Sequence, residues 1–562
     1  MIQAQHFCVV PVVCYEAKMT KRTKITAMQL LGFLFFAAAI YCLIRSITLS
    51  LTTDIWYDEL FTMEFATRPV KELISLTARD VHPPFYYMIV RFFILLCDSL
   101  GITGDGAILG AESVAKLVSV LPFFILMIYG ATTIRKRFGI LPAGLFSFAI
   151  ITMPQMPEYT TEIRMYSWAM LFVTMALLHG LSLLDSIMGR GREGWNIIDG
   201  LMLWLSTTAA AYTHYYAAFA IGIIYGILIV WMLVYYMRVA KKKTEGKIGL
   251  KAAATLIVAL NMTIASYIPW VSVVLRQVGA VKANYWIQPV GIRSFGSAIK
   301  HLFKGYFTND LLAVVIAVLL FVLVAFLLVR TVLRTIRAKE ITDAYTLFAF
   351  SVLPLVVLTG LIASILIRPV FVNRYMLPAY GCFWLAISVM ASVEIDRVYK
   401  REKGQLAGKI AGVMLAVLMI IVGAVDYKAF IGNEEYRMVN IEKTLDMLDS
   451  INSDTIVISN FEHVQGLLSY YLNKKDGDYK VYLYAAEPEA LIKETVPGLE
   501  TIEDPIDIAN YLDAGKEVLF LGSFNSREDI LKDWNEQYQI TSENEGSYLM
   551  ERYWFDVFRL SR

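Results

Sequence analysis

The sequence predicts a polytopic α-helical membrane protein with a soluble α/β domain at its C-terminal end. Of its 562 residues, 57% are hydrophobic and only 18% are charged, whereas about a quarter of the residues in soluble domains are charged. Long apolar stretches recur until about residue 425, and from about residue 430 the composition is that of a folded soluble domain. The net charge of +2 is spread without a basic domain, so we expect no nucleic-acid partner.

About 11 transmembrane helices are predicted, because a crossing helix needs roughly 20 mostly apolar residues. An additional apolar stretch, 85–100, contains Arg91 and Asp98, and we expect it to lie along the membrane surface or to re-enter it. If it crossed, the twelve spans would place the C-terminal domain in the cytoplasm or break the positive-inside rule at one loop. The predicted spans lie at 27–47, 111–131, 138–153 (the shortest), 164–186, 197–213, 216–238, 250–272, 310–330, 345–367, 376–393 and 407–425.

Four clusters of Lys and Arg predict the orientation of the spans. The clusters lie at 18–24, 241–247, 330–339 and 397–409, and short loops rich in Lys and Arg stay on the cytoplasmic side. The segment 1–26 is therefore predicted to be cytoplasmic. The first outer loop, about 48–110 with juxtamembrane helices, and the C-terminal domain, 430–562, are predicted to be extracytoplasmic.

The C-terminal domain is predicted to alternate strands and helices. Its strand candidates are 455–459, 479–484, 517–521 and a β-rich run at 548–560, and its amphipathic helices are 440–450 and 461–473. It contains no glycine-rich phosphate loop and no nucleophile elbow. None of the five cysteines lies beyond Cys382, so no disulfide framework is expected in this domain, and their spacing predicts no metal site.

Unusual polar residues gather in the predicted outer loops. Charge at the edge of the hydrocarbon is costly and marks functional sites. Read singly, each segment has a plainer interpretation: an acidic pair in a solvated loop, a proline-led helix start, or Arg and Tyr anchors at the headgroups. Their common side is what favours function. The segments are Asp58-Glu59, Asp80-Val-His82-Pro83-Pro84, Glu162-Ile-Arg164-Met-Tyr166, His214-Tyr215-Tyr216 and Asn373-Arg374-Tyr375.

In this order the segments resemble those of the membrane C-type (GT-C) glycosyltransferases, particularly the protein O-mannosyltransferase and aminoarabinose transferase group (family 39-like). The resemblance covers roughly residues 27–425, and its most specific part is the Asp-Glu pair followed by His-Pro-Pro. It implies a multi-pass enzyme of a prokaryotic plasma membrane. Such enzymes move a sugar from a polyprenyl-phosphate donor to an acceptor at the outer face of the bilayer.

The resemblance also implies roles for individual residues. Asp58 corresponds to the general base that activates the acceptor hydroxyl, and Glu59 stands beside it as the second predicted catalytic residue. A guanidinium group grips phosphate with two parallel hydrogen bonds, and two arginines are predicted to hold the donor phosphate. The predicted donor-binding residues are His82, Glu162, Arg164, His214, Tyr215, Arg374 and Tyr375.

The prediction about metal dependence comes from a position where this sequence departs from the family pattern. Many relatives carry an aspartate in the second acidic segment, where this chain has Glu158 and Glu162. No cofactor and no obligatory metal are therefore expected, although oligosaccharyltransferases of the wider class use a divalent ion.

Other functions remain open at this stage. A membrane polymerase or ligase that joins whole lipid-linked glycans would share the donor and the outer location. A lipid-linked sugar flippase or transporter is less favoured, because transporters place ionisable residues near the midplane and often contain repeats. The acceptor is equally open: a protein, a cell-wall polymer, a teichoic-acid-like chain or another lipid glycan.

Overall fold

The computed structural model describes residues 12–103, 109–191, 196–241, 248–280, 287, 289–367, 369–396 and 406–562. Four of the predicted features lie partly outside these residues. The parts outside are the first eleven residues of the predicted cytoplasmic segment, positions 104–108 of the predicted first outer loop, most of the basic cluster at 241–247, and positions 397–405 of the last basic cluster.

Sixteen described helices precede the C-terminal domain, joined by short loops and by turns at Gly130–Ile134, Glu158–Thr160 and Asn373–Ala379. They are α1 (Val12–Leu49), α2 (Tyr57–Thr67), α3 (Val70–Thr77), α4 (Phe85–Ser99), α5 (Ala111–Tyr129), α6 (Arg135–Phe138), α7 (Ile140–Thr152), α8 (Tyr166–Ile187), α9 (Ile197–Thr213), α10 (Tyr215–Ala240), α11 (Leu250–Ala280), α12 (Ile292–Phe303), α13 (Asp310–Ala338), α14 (Ile341–Leu366), α15 (Tyr380–Asp396) and α16 (Leu406–Asp449).

Each of the eleven predicted spans coincides with a helix. Within the described ranges, nine helices are long and apolar enough to cross a membrane. The other two predicted spans form α7, with 13 residues, and α9, with 17. Helix α7 lies against α1 at Gly144, where an added Cβ would come within 2.2 Å of the Gly32 carbonyl oxygen. Such close backbone contact between small residues is typical of helix packing in membranes, and the polytopic membrane fold is confirmed.

The segment between α1 and α5 begins and ends on one face of the bundle. Ser113, in the first turn of α5, donates to the Thr52 carbonyl just after α1, at 3.1 Å. Arg91 on α4 donates to the Ala66 carbonyl at the end of α2, at 3.0 Å. Helix α4 therefore makes no net crossing, as predicted for 85–100. We call the face that carries these contacts the site face.

Charged residues tie the helices together at the opposite end of the bundle. Arg137 pairs with Asp185 across α6 and α8. Arg334 pairs with Asp343 at 2.8 Å, and Glu394 accepts from Arg330 at 3.0 Å. Buried guanidinium groups need such partners, so this end is fixed by ion pairs.

The C-terminal domain is an α/β sandwich around one six-stranded sheet. The strand order is β3-β2-β1-β4-β6-β5, with β1 to β4 mutually parallel and β6 antiparallel to both β4 and β5. The elements are β1 (Ile456–Ser459), α17 (Glu462–Leu472), β2 (Val481–Tyr484), α18 (Ala490–Thr495), β3 (Leu499–Ile502), α19 (Pro505–Asp513), β4 (Val518–Ser523), α20 (Ser526–Tyr538), β5 (Thr541–Met550) and β6 (Tyr553–Ser561).

The predicted strands and the helix at 461–473 are present. The predicted helix at 440–450 is also present, as the last part of α16, which continues unbroken out of the bundle through the predicted boundary at 430. The predicted span at 407–425 and this helix are joined because no proline or glycine-rich turn divides them.

The domain packs on the first loop of the site face. Tyr471 on α17 donates its hydroxyl to the Thr53 carbonyl at 2.8 Å and accepts from the Ile55 amide at 3.1 Å. The rings of His463 and Tyr57 stack with centroids 3.8 Å apart. The C-terminal domain and the first loop therefore lie on the same face of the bundle.

Candidate active site

Helix α2 presents the predicted acidic pair on its first turn. The Glu59 carboxylate accepts from the Trp56 amide at 3.1 Å, which caps the helix, and from the Ile163 amide at 2.6 Å. Glu59 is only 2% exposed, and burial raises its pKa, with Lys116 and the two backbone bonds opposing this shift. Glu59 thus fastens the start of α2 to the 158–164 segment.

Asp58 faces the other way, toward two arginines. Its Oδ2 lies 3.1 Å from Nη1 of Arg374 and 3.8 Å from Nη2 of Arg164. Arg164 also donates to the Asp58 carbonyl oxygen at 2.7 Å. Burial disfavours the Arg164 cation, but Asp58 and the neighbouring tyrosines hold its pKa above the usual value. One carboxylate and two fixed positive charges therefore meet at a single point.

Two histidines lie next to this group, with ring centroids 5.9 Å apart. Burial, together with the nearby Arg164 and Arg374 cations, lowers the pKa of His82 and brings that of His214 well below its usual range. His214 caps α10, because its Nδ1 accepts from the Tyr216 amide at 3.1 Å. In a neutral ring the proton then resides on Nε2, which is a donor.

The predicted tyrosines line the same region. The Tyr375 ring centroid lies 5.1 Å from that of His214. Tyr215 donates its hydroxyl to Gln277, which in turn donates to the Thr77 and Asp80 carbonyls. These hydrogen bonds hold the loop that carries His82. In the same loop, Nδ1 of His82 lies 3.3 Å from Oδ2 of Asp80.

An apolar cavity of about 310 Å³ adjoins the two histidines and the tyrosines. Its walls come mainly from α10 and α11, with Ala363 of α14, and the lining residue Ile367 is 49% exposed. We call it the apolar cavity; its lining includes Val81, His82, His214, Tyr215, Phe219, Val274, Ile367, Val370 and Tyr375.

A second cavity, of about 390 Å³, lies between the bundle and the C-terminal domain. Glu162 lines it, and burial raises the pKa of this carboxyl to about 7, although Arg552 at 3.5 Å opposes the shift. We call it the polar cavity; its lining is Glu59, Lys116, Glu158, Thr161, Glu162, Tyr306, Phe430, Asn433, Glu434, Tyr436, Arg437, Leu549, Arg552 and Trp554.

The structure thus divides the nine predicted residues between two neighbouring sites. Asp58 is at the centre of the first site, and six of the others contact its carboxylate or line the apolar cavity, whereas Glu59 and Glu162 line the polar cavity. Sequence reasoning did not select Lys116 or Arg552. A lysine inside an apolar span is a signal that could have identified Lys116; Arg552 carries no such signal, because it lies in a soluble domain.

The arrangement of carboxylates bears on a divalent ion. Among the described residues, no group of three or more His, Cys, Asp and Glu side chains is placed to hold a metal. The Asp58 carboxylate faces guanidinium groups, and the residues present do not fit a metal centre. The expectation that no metal is obligatory stays a prediction.

Comparisons with known proteins identify the fold. No protein-family model matches the sequence, and no curated protein matches it. The crystal structure of ArnT from Cupriavidus metallidurans in the apo state is similar, with 12% identity, a TM-score of 0.54, and coverage of 94% of this chain and 97% of that chain. The same protein bound to undecaprenyl phosphate has 14% identity, the same coverage and a TM-score of 0.49.

A more distant likeness is to the Archaeoglobus fulgidus oligosaccharyltransferase in the apo form. The identity is 11%, the TM-score is 0.45, and the match covers 91% of this chain and 69% of that chain. The similarity to apo ArnT extends over nearly the whole of both chains. The chain has the fold of the membrane C-type glycosyltransferases, as the ordered motifs implied.

Proposed function

We propose that this protein is a glycosyltransferase that moves a sugar from a polyprenyl-phosphate donor to an acceptor hydroxyl at the outer face of the membrane. One observation carries the proposal: the Asp58 carboxylate lies between two arginines, beside a cavity with apolar walls. A base, an anion-binding pair and a lipid-compatible space are thus adjacent, on the fold that GT-C enzymes share.

Arg164 and Arg374 are proposed to hold the donor phosphate. Arginine suits this task because its planar group is always charged and binds phosphate bidentately. His214 can add a hydrogen bond from Nε2, and His82 lies beside it. The low pKa values of the two rings keep them neutral, so they contribute hydrogen bonds rather than charge.

The apolar cavity is proposed to take the first isoprene units of the carrier. Its walls carry Phe219 on α10, Val274 and Val278 on α11, and Ile367 directly after α14. Isoprene units that move from the bilayer to such walls stay in apolar surroundings, so the cavity can hold them without exposing them to water. His82 and Tyr375 line the cavity, and Tyr375 follows Arg374 in the chain, so we propose that the phosphate of a bound carrier lies at this part of the cavity, near the arginines.

The proposed reaction is a single displacement. The acceptor oxygen attacks the anomeric carbon, the bond from that carbon to the phosphate oxygen breaks, and the hydroxyl proton passes to Asp58. The electron pair of the broken bond leaves on the polyprenyl phosphate, where two guanidinium groups stabilise the added charge. Attack opposite to the leaving group inverts the configuration at the anomeric carbon.

The test is sugar release and transfer by purified protein offered a panel of polyprenyl-phosphate sugars, with Asp58→Asn as the variant. We expect turnover of at least one donor and a loss of about 10²–10⁴-fold in the variant, which is the usual contribution of a positioned base. Asp98→Asn, at the exposed end of α4, is the matched control. Equal turnover by the wild type and Asp58→Asn would contradict the mechanism, and products longer than one added sugar would indicate a polymerase.

A further inference from the structure

We infer that the polar cavity binds the ring of a carbohydrate, an inference that rests on the proposed transferase function. The cavity measures about 390 Å³, within the range of small-molecule sites, about 300–1,000 Å³. It is distinct from the apolar cavity, because no described residue lines both. One wall is formed by α2, α5 and the 158–162 segment, and the other by α16 and the β5–β6 turn.

Lys116 provides the first argument. It lies on α5, is 2% exposed and lines the cavity. Among the described residues, none forms a hydrogen bond or ion pair with its ammonium group. The positive charge of Lys116 acts on the Glu59 carboxyl, whose pKa it lowers. A buried ammonium group has three donors that need acceptors. Hydroxyl and ring oxygens of a sugar would provide them.

The carboxylates on the same wall provide the complementary acceptors. Among the described residues, none donates a hydrogen bond to the Glu158 carboxylate, and the Glu162 carboxylate has only the 3.5 Å contact with Arg552. Sugar hydroxyls are donors as well as acceptors, so one ring can satisfy Lys116 and these carboxylates together. A lipid tail could satisfy none of them, and burying such groups without partners would be unfavourable.

Aromatic side chains complete the site. Trp554 on β6 is 47% exposed, and Tyr436 on α16 is 55% exposed; both line the cavity. The apolar C–H face of a sugar ring packs on such flat surfaces, while the polar edges of the ring reach hydrogen-bonding groups. Arg552, whose guanidinium lies 4.4 Å from the Trp56 ring centroid, closes the cavity from the C-terminal domain.

The cavity is also placed to serve the reaction. Glu59, on its wall, follows Asp58, and its carboxylate binds the Ile163 amide at 2.6 Å. Arg164, the next residue, donates to the Asp58 carbonyl. The polar cavity therefore lies against the start of α2 and the 161–164 segment, the two segments that carry Asp58 and Arg164. The bound ring is either the acceptor glycan or the sugar of the donor.

Binding is measured first, by saturation-transfer-difference NMR of the purified full chain with a panel of methyl glycosides. We expect signals with the wild type that are lost in Lys116→Met and Trp554→Ala. They should persist in Tyr553→Ala, a strand neighbour that packs on Phe461 and Phe524 instead. Because Trp554 is at the surface, its replacement should not disturb folding, and a loss of signal in Trp554→Ala cannot be explained by misfolding as a loss in the buried Lys116→Met could. Absence of signals in the wild type, or signals unchanged in both variants, would overturn the inference.

Kinetics with the active donor then distinguish the two sources of the ring. If the ring is the acceptor, both variants raise the half-saturating amount of envelope glycan by about tenfold or more, with less than about twofold change for the donor. If it is the donor's sugar, the pattern reverses. If both values match the wild type, the inference fails. The two proposals can also fail separately. If the wild type turns over no donor but methyl glycosides still give signals with the wild type and with Asp58→Asn, the proposed function is wrong and the sugar site stands.

Discussion

The Asp58 carboxylate and the donor phosphate would compete for the same arginine, Arg374. The carboxylate now lies 3.1 Å from the Arg374 guanidinium, which is the group that a donor phosphate would engage. The phosphate of such a donor is a diester with one negative charge, like a carboxylate, and it binds the planar guanidinium in the same way. Donor binding would therefore release Asp58 toward the acceptor. The same ion pair thus keeps Arg374 oriented before the donor arrives.

This geometry predicts how Arg374 variants behave. Arg374→Lys keeps the charge but loses the planar fork, and we expect it to lower kcat/KM for the donor by about tenfold, whereas Arg374→Ala lowers it by about 10²-fold or more. The initial rate at varied donor concentration measures this. Arg527→Lys, which changes an arginine paired with Asp556 at 2.7 Å in the C-terminal domain, is the control. Equal losses in both lysine variants would contradict a phosphate-binding role.

Glu162 predicts a pH dependence of stability. Burial raises its pKa from 4.5 to about 7 in the folded protein, so between these values the folded state keeps a proton that the unfolded state has lost. Its contribution to stability is therefore complete below pH 4.5 and is lost as pH rises through 7, by up to about 3 kcal/mol. We expect the Tm of Glu162→Gln to exceed that of the wild type at pH 8 but not at pH 4.5. The exposed variant Glu528→Gln should show no such crossover.

At the scale of elements, helix α2 depends on a carboxylate that looks catalytic in the sequence. Both Glu59 oxygens accept from backbone amides, one at the start of α2 and one in the 158–164 segment. The residue that follows the proposed base therefore positions it. The same contact joins two segments that are more than 100 residues apart.

Glu59→Gln tests this role. A neutral amide has one acceptor oxygen, so at least one buried N–H loses its partner, and a buried unsatisfied donor costs about 1–3 kcal/mol. We expect a lower Tm in detergent and reduced transfer with little change in the half-saturating donor concentration. Glu72→Gln on α3, whose glutamate is 48% exposed, should match the wild type. An unchanged Tm for Glu59→Gln would show that the bonds to α2 and the 158–164 segment are dispensable.

Elements with a strong periodic or hydropathy signal could be predicted, and those without one could not. The spans and the buried strand β4 are continuous apolar runs, and each was found. Helix α12 was missed because it is only 12 residues long and amphipathic. Strand β3 was missed because it has four residues, two of them polar.

The site was predictable only in part, for a related reason. The order of the motifs selected Asp58 and Arg374, but their contact joins residues 316 positions apart, and no local pattern encodes it. The polar cavity was not predicted at all. Half of it belongs to the C-terminal domain, and packing of that domain on the first loop depends on side chains such as Tyr471 that carry no sequence motif.

At the scale of the whole molecule, both cavities and the C-terminal domain share the site face, and the opposite end carries basic residues. Arg135, Lys136 and Arg137 lie in the turn between α5 and α7. Short basic loops stay in the cytoplasm, and with eleven crossings the two ends of the bundle's chain lie on opposite sides. The site face is therefore proposed to be extracytoplasmic, where a polyprenyl-phosphate donor and an aqueous acceptor can meet.

Cysteine labelling in intact cells tests this orientation. In a background with the natural cysteines replaced, we expect a membrane-impermeant maleimide to label Lys480→Cys, on a lysine that is 50% exposed in the C-terminal domain. Lys136→Cys, exposed on α6, should react only after the cells are permeabilised, because the bilayer blocks the reagent. The reverse pattern would place the site in the cytoplasm. Labelling of both in intact cells would mean that the basic turn between α5 and α7 reaches the outer face, and that the chain crosses the membrane differently from the bundle described above.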